Sequence, residues 1–231
     1  LVCFVRRSLR IENPLLELTT LKTPSFRTAA LVVTLINAAC LVTNTTLPIL
    51  LQTALGASAF ETGMVMLPAA AVGIVLSPVA GMVFDRFGPR AISVAGLALM
   101  TVALFMFSGA DEHMSVVTAA VLCGMQACGQ SMANMPVNTW GVNALRDDLI
   151  AHGNAIANTG RQVAGGLATA LIVTAMTGVT SAQIAGGADV AAATAAGVGS
   201  AYFICGCIGA VALVFAIFCV KHPKHPAKQA A

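Results

Sequence analysis

Gly81-Met82-Val83-Phe84-Asp85-Arg86-Phe87-Gly88-Pro89-Arg90 is a short charged hinge between two long apolar runs. Residues 62–83 carry no charge, and neither do residues 91–110. About 20 residues at 1.5 Å rise cross a hydrocarbon core of about 30 Å, so each run is long enough to span a bilayer as a helix. The hinge is therefore expected at a membrane face, as a tight cytoplasmic loop. Gly81 is expected to permit close helix approach. Asp85 can pair with Arg86 or Arg90 or lie against the positive end of the next helix, and Gly88-Pro89 turns the chain into that helix.

Composition carries this reading to the whole chain. Of 231 residues, 58% are hydrophobic and 9% charged, against roughly a quarter charged in soluble domains. The expected fold is an all-α integral membrane protein with the lipid bilayer as its surroundings. A net charge of +3, held almost wholly between apolar runs, leaves no footprint for a nucleic acid. Leu1 to Val5 read as the tail of an apolar segment, so the chain is expected to be a piece of a longer one. Seven cysteines fall in apolar runs and read as small packing residues, without a disulfide framework. Residues 1–26 read as the end of a preceding span plus a basic connector, and 221–231 as a basic tail. His222 and His225 in that tail supply too few ligands for a metal, and none is expected.

Six spans are expected between residues 27 and 220, at about 27–51, 62–83, 91–109, 115–140, 153–178 and 200–220. Lipid offers no partner to backbone polar groups, so each run must be helical. The Ala-, Gly- and Thr-rich stretch 179–198 is expected as a loop or short surface helix. Charge alternates between the connections. One set holds Arg6, Arg7, Arg10, Lys22, Arg27, Arg86, Arg90, Arg146, Lys221, Lys224 and Lys228, and the other holds Glu61, Asp111, Glu112 and Asp189 without a Lys or Arg. The positive-inside rule then places both termini in the cytoplasm.

Polar residues inside the spans are costly and mark cavities or helix contacts. Gln126, Gln130, Asn134 and Asn138 recur every four residues in the fourth span. Ala120, Gly124 and Cys128 form a small-residue stripe roughly opposite, suited to close packing. One face packs and the other lines a cavity, or the amides bond only to neighbouring helices. Asn37 and Asn44, seven apart, share a face of the first span. Pro48 lies near the outer end of the first span, and Pro68, Pro78 and Pro136 are expected kink points, mobile or merely structural. In the fifth span Asn154, Asn158, Arg161 and Gln162 share a face and Gly165-Gly166 permits close contact. Arg161 is expected to hold a cytoplasmic gate by pairing with Asp147 or Asp148, to meet a missing half, or to bond neighbouring carbonyls.

The pattern Gly81, Asp85, Arg86, Gly88 and Arg90 resembles the loop signature of the major facilitator superfamily. Asn158-x-x-Arg161-Gln162-x-x-Gly165-Gly166 with the following Leu-Ala-Thr-Ala-Leu is similar to the penultimate span of its fourteen-span drug:proton antiporters, the EmrB/QacA-type branch. Pro14-Leu15-Leu16-Glu17-Leu18 before Phe26 resembles the connector into that branch's C-terminal bundle. The resemblance implies spans nine to fourteen of fourteen, a C-terminal half that works with the N-terminal half of the same transporter. It implies proton-coupled export of small hydrophobic, often cationic compounds across the bacterial plasma membrane, with the proton gradient as energy source and no bound cofactor. No span interior holds Asp or Glu, so the coupling carboxylates are expected in that other half. A major facilitator transporter of another solute, or a non-transporting six-span partner protein, are the alternatives. No nucleophile–base pair, metal cluster or phosphate loop argues for an enzyme. In the complete protein, Asp85→Asn is expected to impair transport with membrane insertion retained; unchanged efflux at equal expression would remove the loop's charge pairing from the account.

Overall fold

A computed structural model describes residue 20 and residues 22–111 and 113–220, with the side chains of Ser77, Asp85, Arg86 and Phe87 outside the description. The basic tail, most of the connector and the charge pairing expected of Asp85 therefore lie outside the described residues. Within them the chain forms six long helices: α1 Pro24–Ile49, α2 Ala59–Phe87, α3 Pro89–Ser108, α4 Val116–Val142, α5 Ile150–Ala185 and α6 Val190–Cys219. All six contain windows long and apolar enough to cross a membrane, and no strand occurs among the described residues.

The helix ends follow local chemistry. Gly88 is the one residue between α2 and α3. At φ 81° and ψ 170° it occupies a region favoured by glycine, it closes α2 by donating its N–H to Phe84 O at 2.8 Å, and Pro89 opens α3. Ser58 and Glu61 form a capping box at the start of α2: the Ser58 hydroxyl accepts from Glu61 N at 3.2 Å, and Ser58 N donates to Glu61 Oε2 at 2.8 Å. Asp189 caps α6 by accepting from Ala191 N at 3.2 Å. Two of the acids in the connections expected outside thus serve helix N-termini.

The stretch 179–198 departs from its expectation as a loop. α5 runs on to Ala185 and α6 starts at Val190, leaving a turn of four residues in which Gly187 takes φ 89°. Alanine is the best helix former, so a run rich in it stays helical until Gly186-Gly187 interrupts it. Pro48, inside α1, is followed by a π-helical turn over Leu50–Ala54, where Leu55 N donates to Leu50 O at 3.1 Å.

α1, α3, α4 and α6 occupy the centre, each packed on three or more other helices. α1 packs on α4, α5 and α6, and α4 packs on α1, α2 and α3, while α3 and α6 pack on each other. Exchanging the first three helices for the last three maps these pairings onto one another. Three crossings separate α1 from α4, so the two halves of this pattern are inverted copies, an arrangement seen in secondary transporters. Half of the most apolar window of α1 is buried, but only 6% of that of α2 and 17% of that of α5. Phe60, Met64, Leu67 and Ile74 on α2, and Val163, Leu167 and Leu171 on α5, are exposed within the six-helix bundle.

The closest backbone-to-backbone approach at a glycine joins α3 to α4. A Cβ added to Gly96 would stand 2.6 Å from Gly129 O, and one added to Gly129 would stand 2.5 Å from Gly96 O and from Met100 N. Gly81 and Gly124 have open space where a Cβ would go, so neither makes the expected close approach within these six helices, although Ala120 of the same stripe packs against the core. Lower down the core, Phe107 of α3 stacks on Tyr202 of α6 with ring centroids 4.5 Å apart. Gly129→Val should destabilise the protein by about 1–3 kcal/mol through overpacking, whereas Gly124→Val, on the same helix, should not. Unfolding of the detergent-solubilised complete protein measures the difference, and equal stability of the two variants would refute the backbone contact.

Candidate functional site

α4 presents a groove of about 350 Å³ lined by Gln130, Ser131, Asn134, Met135 and Asn138. These residues fall at three- and four-residue spacings, which place them along one side of the helix. The lining is amide, hydroxyl and thioether, without a charge.

Gln126 is not part of this lining. It is 3% exposed and its Nε2 donates to Thr43 Oγ1 of α1 at 2.8 Å, while Thr43 Oγ1 donates to Ala39 O at 3.0 Å. A four-residue step overshoots a 3.6-residue turn by about 40°, so three steps turn the stripe through about 120°. Its first member is thereby carried into the α1–α4 contact, and the other three reach the groove. Thr43 was missed in the sequence because a lone hydroxyl on an apolar helix gives no signal of its partner. Ser131 follows an amide of the stripe, which is the cue by which it could have been found.

A second cavity, of about 180 Å³, lies between α1 and α5 and is lined by Asn37, Leu41, Asn158, Arg161 and Gln162. Gly165 lies against the end of the Leu41 side chain, which would have to shift to admit a Cβ there; Gly166, beside it, faces open space. Arg161 is half-buried. Its Nη2 donates to Asn158 Oδ1 at 2.6 Å and its Nε to Ala157 O at 3.3 Å. Asn37 Nδ2 donates to Val33 O at 2.8 Å. The structure thus brings Asn37 of α1 together with three of the four polar residues expected on α5. Asn154 lines neither cavity, and Asn44 is exposed, with its Nδ2 3.7 Å from Cys40 Sγ.

The expected pairing of Arg161 with Asp147 or Asp148 does not form. Asp148 instead pairs with Arg146 at 3.1 Å on the exposed turn before α5. Thirteen or fourteen residues separate Arg161 from these acids, about 20 Å of helical rise, well beyond side-chain reach. Of the hinge residues, Gly81 lies within α2, Gly88 makes the turn, and Arg90 is exposed. Arg90 borders a shallow, largely apolar groove of about 280 Å³ with Ala91, Val94 and Ile217. Among the described residues no three His, Cys, Asp or Glu side chains converge as a metal site would require.

The six apolar helices make this a multi-pass membrane protein, and its relatives are named as MFS-type transporters or as drug resistance proteins. The chain is 35% identical over 229 residues to an uncharacterized MFS-type transporter, YcnB, of Bacillus subtilis, covering 99% of this chain and 48% of that protein. It is 35% identical over 220 residues to the lincomycin resistance protein LmrB of Listeria monocytogenes, covering 92% of this chain and 47% of the relative. A multidrug resistance protein B homolog of Mycobacterium tuberculosis is 27% identical over 173 residues, covering 73% of this chain and 32% of that protein. The chain spans about half or less of the length of these curated relatives. The family model of the Major Facilitator Superfamily matches residues 5–169. The chain belongs to the Major Facilitator Superfamily.

Proposed function

We propose that the chain is the C-terminal six-helix half of a drug exporter of the bacterial plasma membrane, a proton-coupled antiporter of the fourteen-span EmrB/QacA-type branch. The observation that carries this reading is the uncharged groove of Gln130, Ser131, Asn134, Met135 and Asn138 on a central helix. Amides both donate and accept, so they recognise varied neutral groups, and each bond is worth only about 1 kcal/mol net. Met135 adds an adaptable apolar surface. Several weak contacts on a central helix suit a site that takes many compounds and releases them. The names of the Listeria and Mycobacterium relatives support drug export over transport of another solute.

The N-terminal half docks against the exposed faces of α2 and α5, which the inverted pairing of helices places in equivalent positions. Rocking of one half against the other exposes the groove alternately to the two sides. No acid lies within a span interior of this chain, so the proton-carrying carboxylate belongs to the other half. The charge bias of the connections supports a cytoplasmic position for both ends of this chain.

The reading is tested by expressing the complete reading frame in an efflux-deficient bacterium and measuring lincomycin resistance and dye accumulation with and without a protonophore. Protection that a protonophore abolishes is expected; no protection with the protein present in the membrane would sink the reading. Asn134→Ala and Asn138→Ala should each raise the half-saturating drug concentration roughly fivefold, as the loss of about 1 kcal/mol requires, and this is measured as concentration-dependent export at matched expression.

A further inference from the structure

Arg161 is the one Lys or Arg within the interior of a span. A cation held at membrane depth is costly and by default marks a functional cavity. Its guanidinium carries five N–H groups, of which the bonds to Asn158 Oδ1 and Ala157 O engage two. Those bonds fix the fork and leave three donors. Asn158 Oδ1 is already an acceptor for Arg161, which leaves the Asn158 amide N–H groups for another partner. Asn37 spends one N–H on Val33 O and keeps the other. No carboxylate lines the cavity, and the Asp148 carboxylate, the nearest along the chain, is paired with Arg146. The cavity is thus rich in donors, positive by one charge and uncompensated by any residue lining it. At about 180 Å³ it is smaller than the roughly 300–1,000 Å³ of sites that enclose a drug-sized molecule. It has room for a substituent rather than a whole compound.

We propose that Arg161 determines substrate charge preference: the α1–α5 cavity receives an anionic, acceptor-bearing substituent of the transported compound, a carboxylate or sulfonate, in the fork of Arg161 with Asn158 beside it. This rests on the transport reading above and gives that reading a substrate class. A planar guanidinium matches two carboxylate or sulfonate oxygens at once, which an ammonium does not. The same uncompensated charge disfavours a cationic group at this wall.

The test uses the complete protein purified in detergent, with carboxyfluorescein as anionic probe and ethidium as cationic probe, and reads binding by fluorescence anisotropy and export from energised cells. Carboxyfluorescein binding to the unaltered protein should weaken as salt is raised. Arg161→Gln should lower the ratio of carboxyfluorescein to ethidium affinity at least about tenfold, the effect of losing one charge-assisted hydrogen bond. Arg161→Lys should recover part of that ratio, because the charge stays and the fork is lost. An equal loss for both dyes would make Arg161 a structural residue and overturn the proposal. An unchanged ratio would do the same, and would place Arg161 opposite an acid of the remaining half. Failure of the unaltered protein to bind carboxyfluorescein also overturns it. Binding of the dyes without export of either would instead sink the transport reading while the anisotropy still decides the site.

Discussion

The approach of Gly96 to Gly129 brings the backbones of α3 and α4 together with no side chain between them. In lipid, helices gain nothing from hiding apolar surface from water, so association rests on close packing and a few polar bonds. The pairing with α3 therefore seats α4 in the bundle, and with it the groove that α4 carries. α6 meets α3 in a similar way: Gly199, Gly206 and Gly209 lie against the Ser108 carbonyl, the Phe105 ring and the Thr101 hydroxyl. Small residues on α4 and α6 thus do on both sides of α3 what apolar burial does in a water-soluble core.

Polar groups in this bundle divide by what they meet. Gln126 and Thr43 bond across α1 and α4 where both are buried. Gln130, Asn134 and Asn138 line the groove, and Arg161 with Asn158 faces the cavity beside α1. One amide stripe therefore serves two ends, cross-linking the central helices at one level and offering hydrogen bonds to a solute at another. The inverted pairing of helices gives this a geometric setting: α1 and α4 are equivalent central helices, α4 contributing three amides to the groove and α1 contributing Asn37 to the second cavity.

Helix number and type were legible because uncharged runs of membrane length allow no other backbone solution. The hinge was legible too, since Gly88-Pro89 is both a stop and a start. The ends of α5 and α6 were not, because an Ala-rich run reads as loosely as a loop until the one interrupting Gly-Gly pair is given its due. The site was legible as faces but not as contacts. Spacing put Asn158, Arg161 and Gln162 on one side of α5, yet only the packing of Gly165 on Leu41 reveals that Asn37 completes that side. Gln126 failed for the opposite reason: its spacing matched the stripe, but the slow rotation of a four-residue repeat carried it into the core. The Arg161 expectation failed on distance along the helix, which charge complementarity alone ignores.

The single-residue join at Gly88 has a mechanical meaning. α2 leans on α4 and touches α3 only lightly, yet it is tethered to α3 at one end by one residue. Its 29 residues make an arm of about 43 Å. A pivot of about 5° at Gly88 would sweep the far end, near Ala59, through about 4 Å while the hinge end stays in place. A single-residue join of this kind would act as the fulcrum of a lever, its displacement small beside Gly88 and amplified toward Ala59, with α4 the helix that α2 would slide along.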